Sequence, residues 1–371
     1  METSHSKEEL EQLQELINPD PEERAEMAGL HYVNDGESGY QRKPWGRGFT
    51  YLTMEGERVQ DSDLRQRFES LAIPPAWQEV WICSDEQGHI QATGRDEKGR
   101  KQYIYHPAWE ETRTDTKFHR MIAFGEMLPA IRQQVDEDLR KRKLSRAKVV
   151  ALVVKLLEET LIRIGNREYA RNNDSYGLTT LLSEHLEISG SQLVFEFRGK
   201  SGKQQEISIR DRRLARLAKQ IQELPGQFLF QYVDEEGQCC QTITSGDVNQ
   251  YLRQVTGMDL TAKDFRTWGG TVSGAVELYQ IGPGGSQTDS QKRVVAAVKR
   301  VAEILGNTPA VCRQYYIHPA IIAAYLDGSL FPIMQNELEQ EPQGSFELGP
   351  EERAVVHILR ERLNGRMVNS G

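Results

Sequence analysis

Ala92-Thr93-Gly94-Arg95-Asp96-Glu97-Lys98-Gly99-Arg100-Lys101-Gln102-Tyr103-Ile104-Tyr105-His106-Pro107 is the stretch in which the chain changes its periodicity. Alternating residues on either side of Asp96-Glu97-Lys98-Gly99 predict a β-hairpin, and after His106-Pro107 the apolar spacing becomes helical. Toward the N-terminus, Val80 to Cys83, the Asp85-Glu86-Gln87-Gly88 turn and His89 to Thr93 extend the hairpin into a meander that begins near Tyr32. One short helix interrupts it, capped by Asp61 or Ser62, with Leu64, Phe68 and Leu71 on one face and Pro74-Pro75 as its stop. Toward the C-terminus the spacing predicts helices over Phe118 to Val135 and Lys148 to Ile164, the second so rich in Val and Leu that most of its sides must be buried. Strands follow at Leu186 to Ile188, Leu193 to Phe197 and Glu206 to Ile209. Further helices are predicted at Asp211 to Leu224, Asp247 to Val255, Thr261 to Tyr279, and from a cap at Asp289 or Ser290 to Leu305. The third of these opens on a capping box, Thr261 to Asp264.

The expected fold is α+β, with a small β-rich N-terminal domain and a larger, mainly α domain holding a small three-stranded sheet. The expected divisions are an acidic helical appendage over 1–29, the β-rich domain over 30–110, the mainly α domain over 111–330, and an acidic extension with a terminal helix over 331–371. The appendage holds a helical stretch, Lys7 to Ile17, broken by Asn18-Pro19-Asp20-Pro21. Both acidic ends read as solvated segments.

At 371 residues the chain is too long for one core, and it has no apolar run of membrane-span or signal-peptide type, so a cytoplasmic location is expected. Cys83, Cys239, Cys240 and Cys312 make no CxxC spacing and no cluster with histidine, which suggests neither a disulfide framework nor a metal site. No cofactor is implied. The net charge of −9 argues against a polyanionic partner, but its distribution argues for one. Acidic residues gather at the two ends. The middle holds three basic clusters: Arg95, Lys98, Arg100 and Lys101; Arg140 to Lys143 with Arg146 and Lys148; and Arg198, Lys200, Lys203, Arg210, Arg212, Arg213, Arg216 and Lys219.

Asn307-Thr308-Pro309-Ala310-Val311-Cys312-Arg313-Gln314-Tyr315-Tyr316-Ile317-His318-Pro319 places two tyrosines where a helical pattern begins, behind a polar side chain. A tyrosine can bond covalently to phosphorus, but with a pKa near 10 only about one in a thousand is ionised at neutral pH. It needs cationic help. Arg163 ends a buried helix before Gly165, so it must find an anionic partner or reach solvent. Arg266 falls in the first turn of its helix, where amides and a guanidinium can face one anion. Lys200 lies in the hairpin Arg198-Gly199-Lys200-Ser201-Gly202-Lys203, which lacks the glycine spacing and strand-to-helix setting of a phosphate-binding P-loop.

These residues carry a resemblance to the type IB DNA topoisomerases of the small bacterial and poxvirus-like kind, which extends over nearly all of the chain. Ala92 to Pro107 resembles the end of that family's N-terminal β domain, which closes over one side of duplex DNA. Arg163-Ile164-Gly165-Asn166-Arg167-Glu168-Tyr169, followed by Gly177-Leu178-Thr179-Thr180-Leu181, resembles the segment of the first catalytic arginine. Phe197-Arg198-Gly199-Lys200 resembles the hairpin of the catalytic lysine. Lys263-Asp264-Phe265-Arg266-Thr267-Trp268-Gly269 resembles the segment of the second arginine, and Gly306-Asn307-Thr308-Pro309-Ala310 through Tyr316 that of the final polar residue and the nucleophile.

The resemblance implies a catalytic core of the tyrosine recombinase and type IB topoisomerase kind. It implies Tyr316 as nucleophile, Arg163, Arg266 and Asn307 on nonbridging phosphate oxygens, and Lys200 as general acid. A 3′-phosphotyrosyl intermediate would form without ATP or metal, in a monomer clamped around duplex DNA on the bacterial nucleoid. Candidate DNA-binding residues are Arg95, Lys98, Arg100, Lys101, Gln102, Tyr103, Tyr105, Tyr169, Lys203, Arg212 and Arg213. Asn307 stands where many members have histidine. Alignment through Asn307 and Ile317-His318-Pro319 favours Tyr316 over Tyr315. A tyrosine site-specific recombinase is the nearest alternative, disfavoured by Lys263 in place of its usual histidine; an inactive DNA-binding relative is another, disfavoured by the complete catalytic set.

Overall fold

The computed structural model describes residues 17, 20–233, 240–341 and 344–369, so the expected helical stretch from Lys7 lies, but for Ile17, outside the described residues. These residues separate into two compact units, one within Glu11–His119 and the other within Arg120–Gly371.

In the first unit the Asp96 turn closes because its carboxylate accepts from the amides of Lys98 and Arg100, both at 3.0 Å, while Gly99 takes φ +73°. The unit holds α1 (Pro21–Met27), β1 (Gly39–Trp45), β2 (Gly48–Thr53), α2 (Ser62–Ser70), β3 (Gln78–Cys83), β4 (Ile90–Arg95) and β5 (Lys101–Tyr105). The strands form one antiparallel sheet in the order β2-β1-β3-β4-β5. Asp61 caps α2, whose Phe68 enters a core with Tyr51, Val59, Ile73, Val80, Ile82 and Ala92. Trp81, Cys83 and Ile90 pack with Val33 in a second cluster, so all four residues Val80 to Cys83 are buried. Among the described residues buried Arg42 meets no carboxylate; its guanidinium donates to the carbonyls of Ile73, Pro74 and Trp77 at 2.7–3.0 Å.

Helix α3 (Pro107–Arg140) carries the chain into the second unit, where α4 (Arg146–Thr160) is the central element. Val149 to Val154 and Leu156-Leu157 are at most 2% exposed, as expected of a helix apolar on nearly every side. After α5 (Arg167–Asn173) come β6 (Leu186–Ser189), β7 (Gln192–Arg198) and β8 (Gln204–Arg210), an antiparallel sheet in that order. Next are α6 (Arg212–Gln222), the short unexpected pair β9 (Gln231–Val233) and β10 (Cys240–Thr242), α7 (Ser245–Thr256), α8 (Ala262–Ile281), α9 (Gln287–Ile304) and α10 (Pro309–Tyr315). The unit ends with α11 (Pro319–Leu326), α12 (Leu330–Leu338) and α13 (Pro350–Asn369). Among the described residues no helix is long and apolar enough to cross a membrane.

Four expectations are corrected. Helix α4 stops at Thr160 instead of Ile164, because Leu161 turns left-handed at φ +53°, so Arg163 stands on extended chain and not on a helix end. The cap of α9 is Ser286, which accepts from the amide of Asp289, and not Asp289 or Ser290. The tyrosines end α10 where a helix start was expected: Thr308 caps it, Pro309 opens it, and Tyr316 follows its last turn. The acidic C-terminal stretch is not a solvated appendage. Ala354, Val355, Ile358 and Leu359 of α13 are at most 1% exposed, and two carboxylates of the stretch are paired: Arg353 binds Glu337 at 2.9 Å, and Arg132 binds Glu352 at 2.8 Å.

Candidate active site

Arg163 is fixed by its backbone. The amides of Leu178 and Thr179 donate to the carbonyls of Arg163 and Ile164 at 2.9 and 2.8 Å. That approach needs Gly177: a Cβ there would lie 2.5 Å from the Arg163 carbonyl oxygen. The Arg163 side chain donates through Nη2 to Asn307 Oδ1, so it meets a neutral amide in place of an anion. Asn307 follows α9, its amide donating to the Ala302 carbonyl at 2.9 Å. Its Nδ2 is buried with no partner among the described residues.

The capping box at the start of α8 forms as the sequence predicts, with Asp264 accepting from Thr261 N at 2.7 Å and Thr261 Oγ1 at 2.9 Å. Arg120 adds donations to the same carboxylate from Nε (2.7 Å) and Nη2 (2.6 Å), which locks the turn bearing Arg266. Arg266 is 4% exposed. Its guanidinium donates to the carbonyl of Leu161 and, at 2.8 Å, to that of Leu305; its Nε has no partner among the described residues. Burial, then repulsion from Arg163, lowers its pKa to about 10, so it remains cationic at neutral pH.

Tyr316 presents its ring with the Arg266 guanidinium carbon 5.1 Å from the ring centroid. Its amide donates to the Cys312 carbonyl at 2.9 Å, and its own carbonyl accepts from Thr271 Oγ1 at 3.2 Å. Burial pushes the phenol pKa up, but the charges of Arg266 and Arg163 outweigh it and hold the hydroxyl below the ordinary tyrosine value. Tyr315 is half exposed.

Lys200 stands on the turn Lys200–Gly202 that joins β7 to β8. The hairpin is pinned by Gly199 N donating to Lys203 O at 2.7 Å, with Ser201 and Gly202 both at positive φ. Lys200 lines one cleft of about 600 Å³ together with Arg163, Tyr169, Lys263, Arg266 and Tyr316. Asn307 sits behind Arg163, off this lining. Lys263, which the sequence marks only as a departure from the recombinase pattern, shares the cleft; its signal was its place one helical turn before Arg266. Tyr176 and Asn172 also line it and had no sequence signal.

The DNA-binding candidates divide. Tyr169 is in the cleft, and Lys203 beside it donates to the Asn307 carbonyl at 3.3 Å. Arg212 and Arg213 open α6, where Arg213 donates to Asp136. Arg95, Lys98, Arg100, Lys101, Gln102, Tyr103 and Tyr105 belong to the first unit. There Arg95 pairs with Glu79 at 2.8 Å, Arg100 with Asp96 at 2.7 Å and Lys101 with Asp35 at 2.6 Å. Gln102 donates to Asp96 at 3.0 Å, and the Tyr103 and Tyr105 rings stack at 5.8 Å.

The arrangement offers a phenol, two guanidiniums and an ammonium lining one cleft, a set of groups suited to a tetrahedral anion. Residues 106–330 match the family described as eukaryotic DNA topoisomerase I, catalytic core, and residues 48–96 match bacterial DNA topoisomerase IB, N-terminal domain. The chain is 31% identical over 307 residues to the DNA topoisomerase 1B of Acanthamoeba polyphaga mimivirus, covering 80% of this chain and 89% of the viral one. It is 26% identical over 249 residues to the DNA topoisomerase 1B of vaccinia virus (strain Copenhagen), covering 65% and 74%.

Proposed function

Because the chain belongs to the type IB DNA topoisomerases, we propose that it relaxes supercoiled duplex DNA, without ATP or a metal ion, through a transient phosphotyrosyl bond made by Tyr316. The Tyr316 hydroxyl oxygen attacks a backbone phosphorus, its proton passing to water in the open cleft. The new O–P bond forms as the bond from phosphorus to the 5′ oxygen breaks. Lys200 gives a proton to that departing oxygen, which would be a poor leaving group as an alkoxide. Arg163 and Arg266 take the nonbridging oxygens, where charge grows; each such donor contributes about 3–4 kcal/mol in a water-poor site. Asn307 Nδ2, buried and without a partner among the described residues, would be a third donor once bound phosphate draws it to the cleft.

The 3′ end is then held on Tyr316 and the 5′ hydroxyl is free, so the duplex rotates about the intact strand. Resealing reverses each step: the 5′ hydroxyl attacks, Lys200 recovers its proton and Tyr316 leaves. One phosphodiester is exchanged for another, so no outside energy is consumed. In this reading a monomer clamps around duplex DNA on the bacterial nucleoid, in the cytoplasm.

The observation that carries the reading is the meeting of Arg163, Lys200, Arg266 and Tyr316 in one cleft. Supercoiled plasmid incubated with the protein in EDTA and without ATP is expected to relax, and denaturation in mid-reaction is expected to trap protein on the 3′ side of a nick. Tyr316→Phe abolishes both, whereas Tyr315→Phe retains them. Full relaxation by Tyr316→Phe would overturn the assignment.

A further inference from the structure

Trp45 stands apart from the other tryptophans. Trp81, Trp109 and Trp268 are 4–6% exposed and Trp77 is partly buried, but Trp45 is 63% exposed at the tip of the β1–β2 hairpin. The Trp45↔Gly48 pair closes a two-residue turn with Gly46 at φ +59°, so the ring is presented by rigid backbone and not by a loose loop. β2 is an edge strand whose outer side is covered by the returning chain only from Tyr51 to Thr53, where Arg58 bridges Leu52, so among the described residues the side next to the tip is open.

The charge around the ring is positive and unspent. The Arg58 guanidinium lies over it, 5.3 Å from the centroid, and Lys43 and Arg47 are exposed beside it in sequence. Among the described residues none of Lys43, Arg47 and Arg58 pairs with a carboxylate, whereas Arg95, Arg100 and Lys101 of the neighbouring hairpin all do. Glu55 and Glu57 sit at the far end of β2, where Thr53 N donates to the Glu57 carbonyl at 2.8 Å, and Arg58, the next residue, reaches back from beside Leu52 to the ring. A lone exposed apolar residue means little, but a rigid aromatic among uncommitted cations fits a polyanion with flat, stackable faces.

We propose that this hairpin tip is a DNA-contacting element of the N-terminal unit. Trp45 packs on sugar and base edges within a groove, while Lys43, Arg47 and Arg58 face the flanking phosphates. The inference rests on the DNA substrate class proposed above. It makes this tip, more than the largely self-neutralised β4–β5 turn, the N-terminal source of salt-dependent affinity.

The test is binding of the full chain to a duplex oligonucleotide across a series of salt concentrations. Trp45→Ala is expected to bind about 5- to 20-fold more weakly with an unchanged salt slope. Arg47→Ala is expected to reduce the slope of log K against log salt by about 1. DNA should quench tryptophan emission in the wild type and less so in Trp45→Phe. Circular dichroism melting checks that these exposed substitutions leave the fold intact. Unchanged affinity and slope in both variants overturn the inference, as does lost affinity without quenching, which would place the ring against protein. Binding requires no cleavage, so a wild type that binds through Trp45 but relaxes no plasmid would defeat the proposed function alone.

Discussion

Arg266 gives two of its five N–H groups to the main-chain carbonyls of Leu161 and Leu305, and among the described residues no carboxylate cancels its charge. Lysine cannot reproduce this fork, since an ammonium is a point donor on a flexible stem. Arg266→Lys is therefore expected to slow single-turnover cleavage by about 10²–10³-fold, with oligonucleotide affinity little changed. Arg163, proposed above to bind phosphate, also acts on the phenol. Because its charge helps to hold the Tyr316 pKa down, Arg163→Ala raises that pKa. Cleavage requires loss of the phenol proton, so the rising limb of kcat/KM against pH is set by the phenol pKa. In Arg163→Ala that limb is expected at higher pH, as a pH–rate profile will show; an unmoved limb contradicts the coupling. At this scale the meeting of Arg163, Lys200, Arg266 and Tyr316 in one cleft was legible because each sits in a local motif. What was not legible is that Asn307 turns its oxygen to Arg163, a contact between residues 144 positions apart.

The elements meet closely where α8 carries Gly269 and Gly270. A Cβ on Gly269 would lie 2.5 Å from the Leu161 side chain, and one on Gly270 would lie 2.8 Å from the Tyr316 carbonyl oxygen. The helix thus touches both the residue that seats Arg266 and the backbone of the nucleophile. Gly270→Ala is expected to displace Tyr316 and cut the cleavage rate by about 10²-fold, since displacements near 1 Å cost that much. Melting by circular dichroism separates this from unfolding. Element starts were readable where polar caps announce them: the Thr261 box holds, and Thr308-Pro309 is itself a start signal that places the tyrosines at the helix end. The end of α4 was hidden, because a leucine takes the left-handed position and Gly165, four residues on, resembles the stop.

Across the catalytic unit, the acidic C-terminus serves as structure. Arg132 donates to Glu158 at 2.6 Å, to Glu352 at 2.8 and 3.0 Å, and to the Glu347 carbonyl at 2.9 Å; Trp268 Nε1 donates to Glu352 at 3.1 Å. Glu352→Ala leaves partly buried donors unmet and is expected to cost about 1–3 kcal/mol, read from the midpoint of urea unfolding. Composition showed the charge but not its partners, because the Arg132–Glu352 pair spans 220 positions and no local pattern encodes it. The same helix sets an order on synthesis. Arg163, Lys200, Arg266, Asn307 and Tyr316 all leave the ribosome before Pro350, so a nascent chain holds its nucleophile while the core beneath Trp268 is still open. DNA-nicking competence is thereby expected only after α13 has emerged and packed: chains stalled before Pro350 are expected to leave plasmid uncut, and nicking by such chains would show that α13 is dispensable.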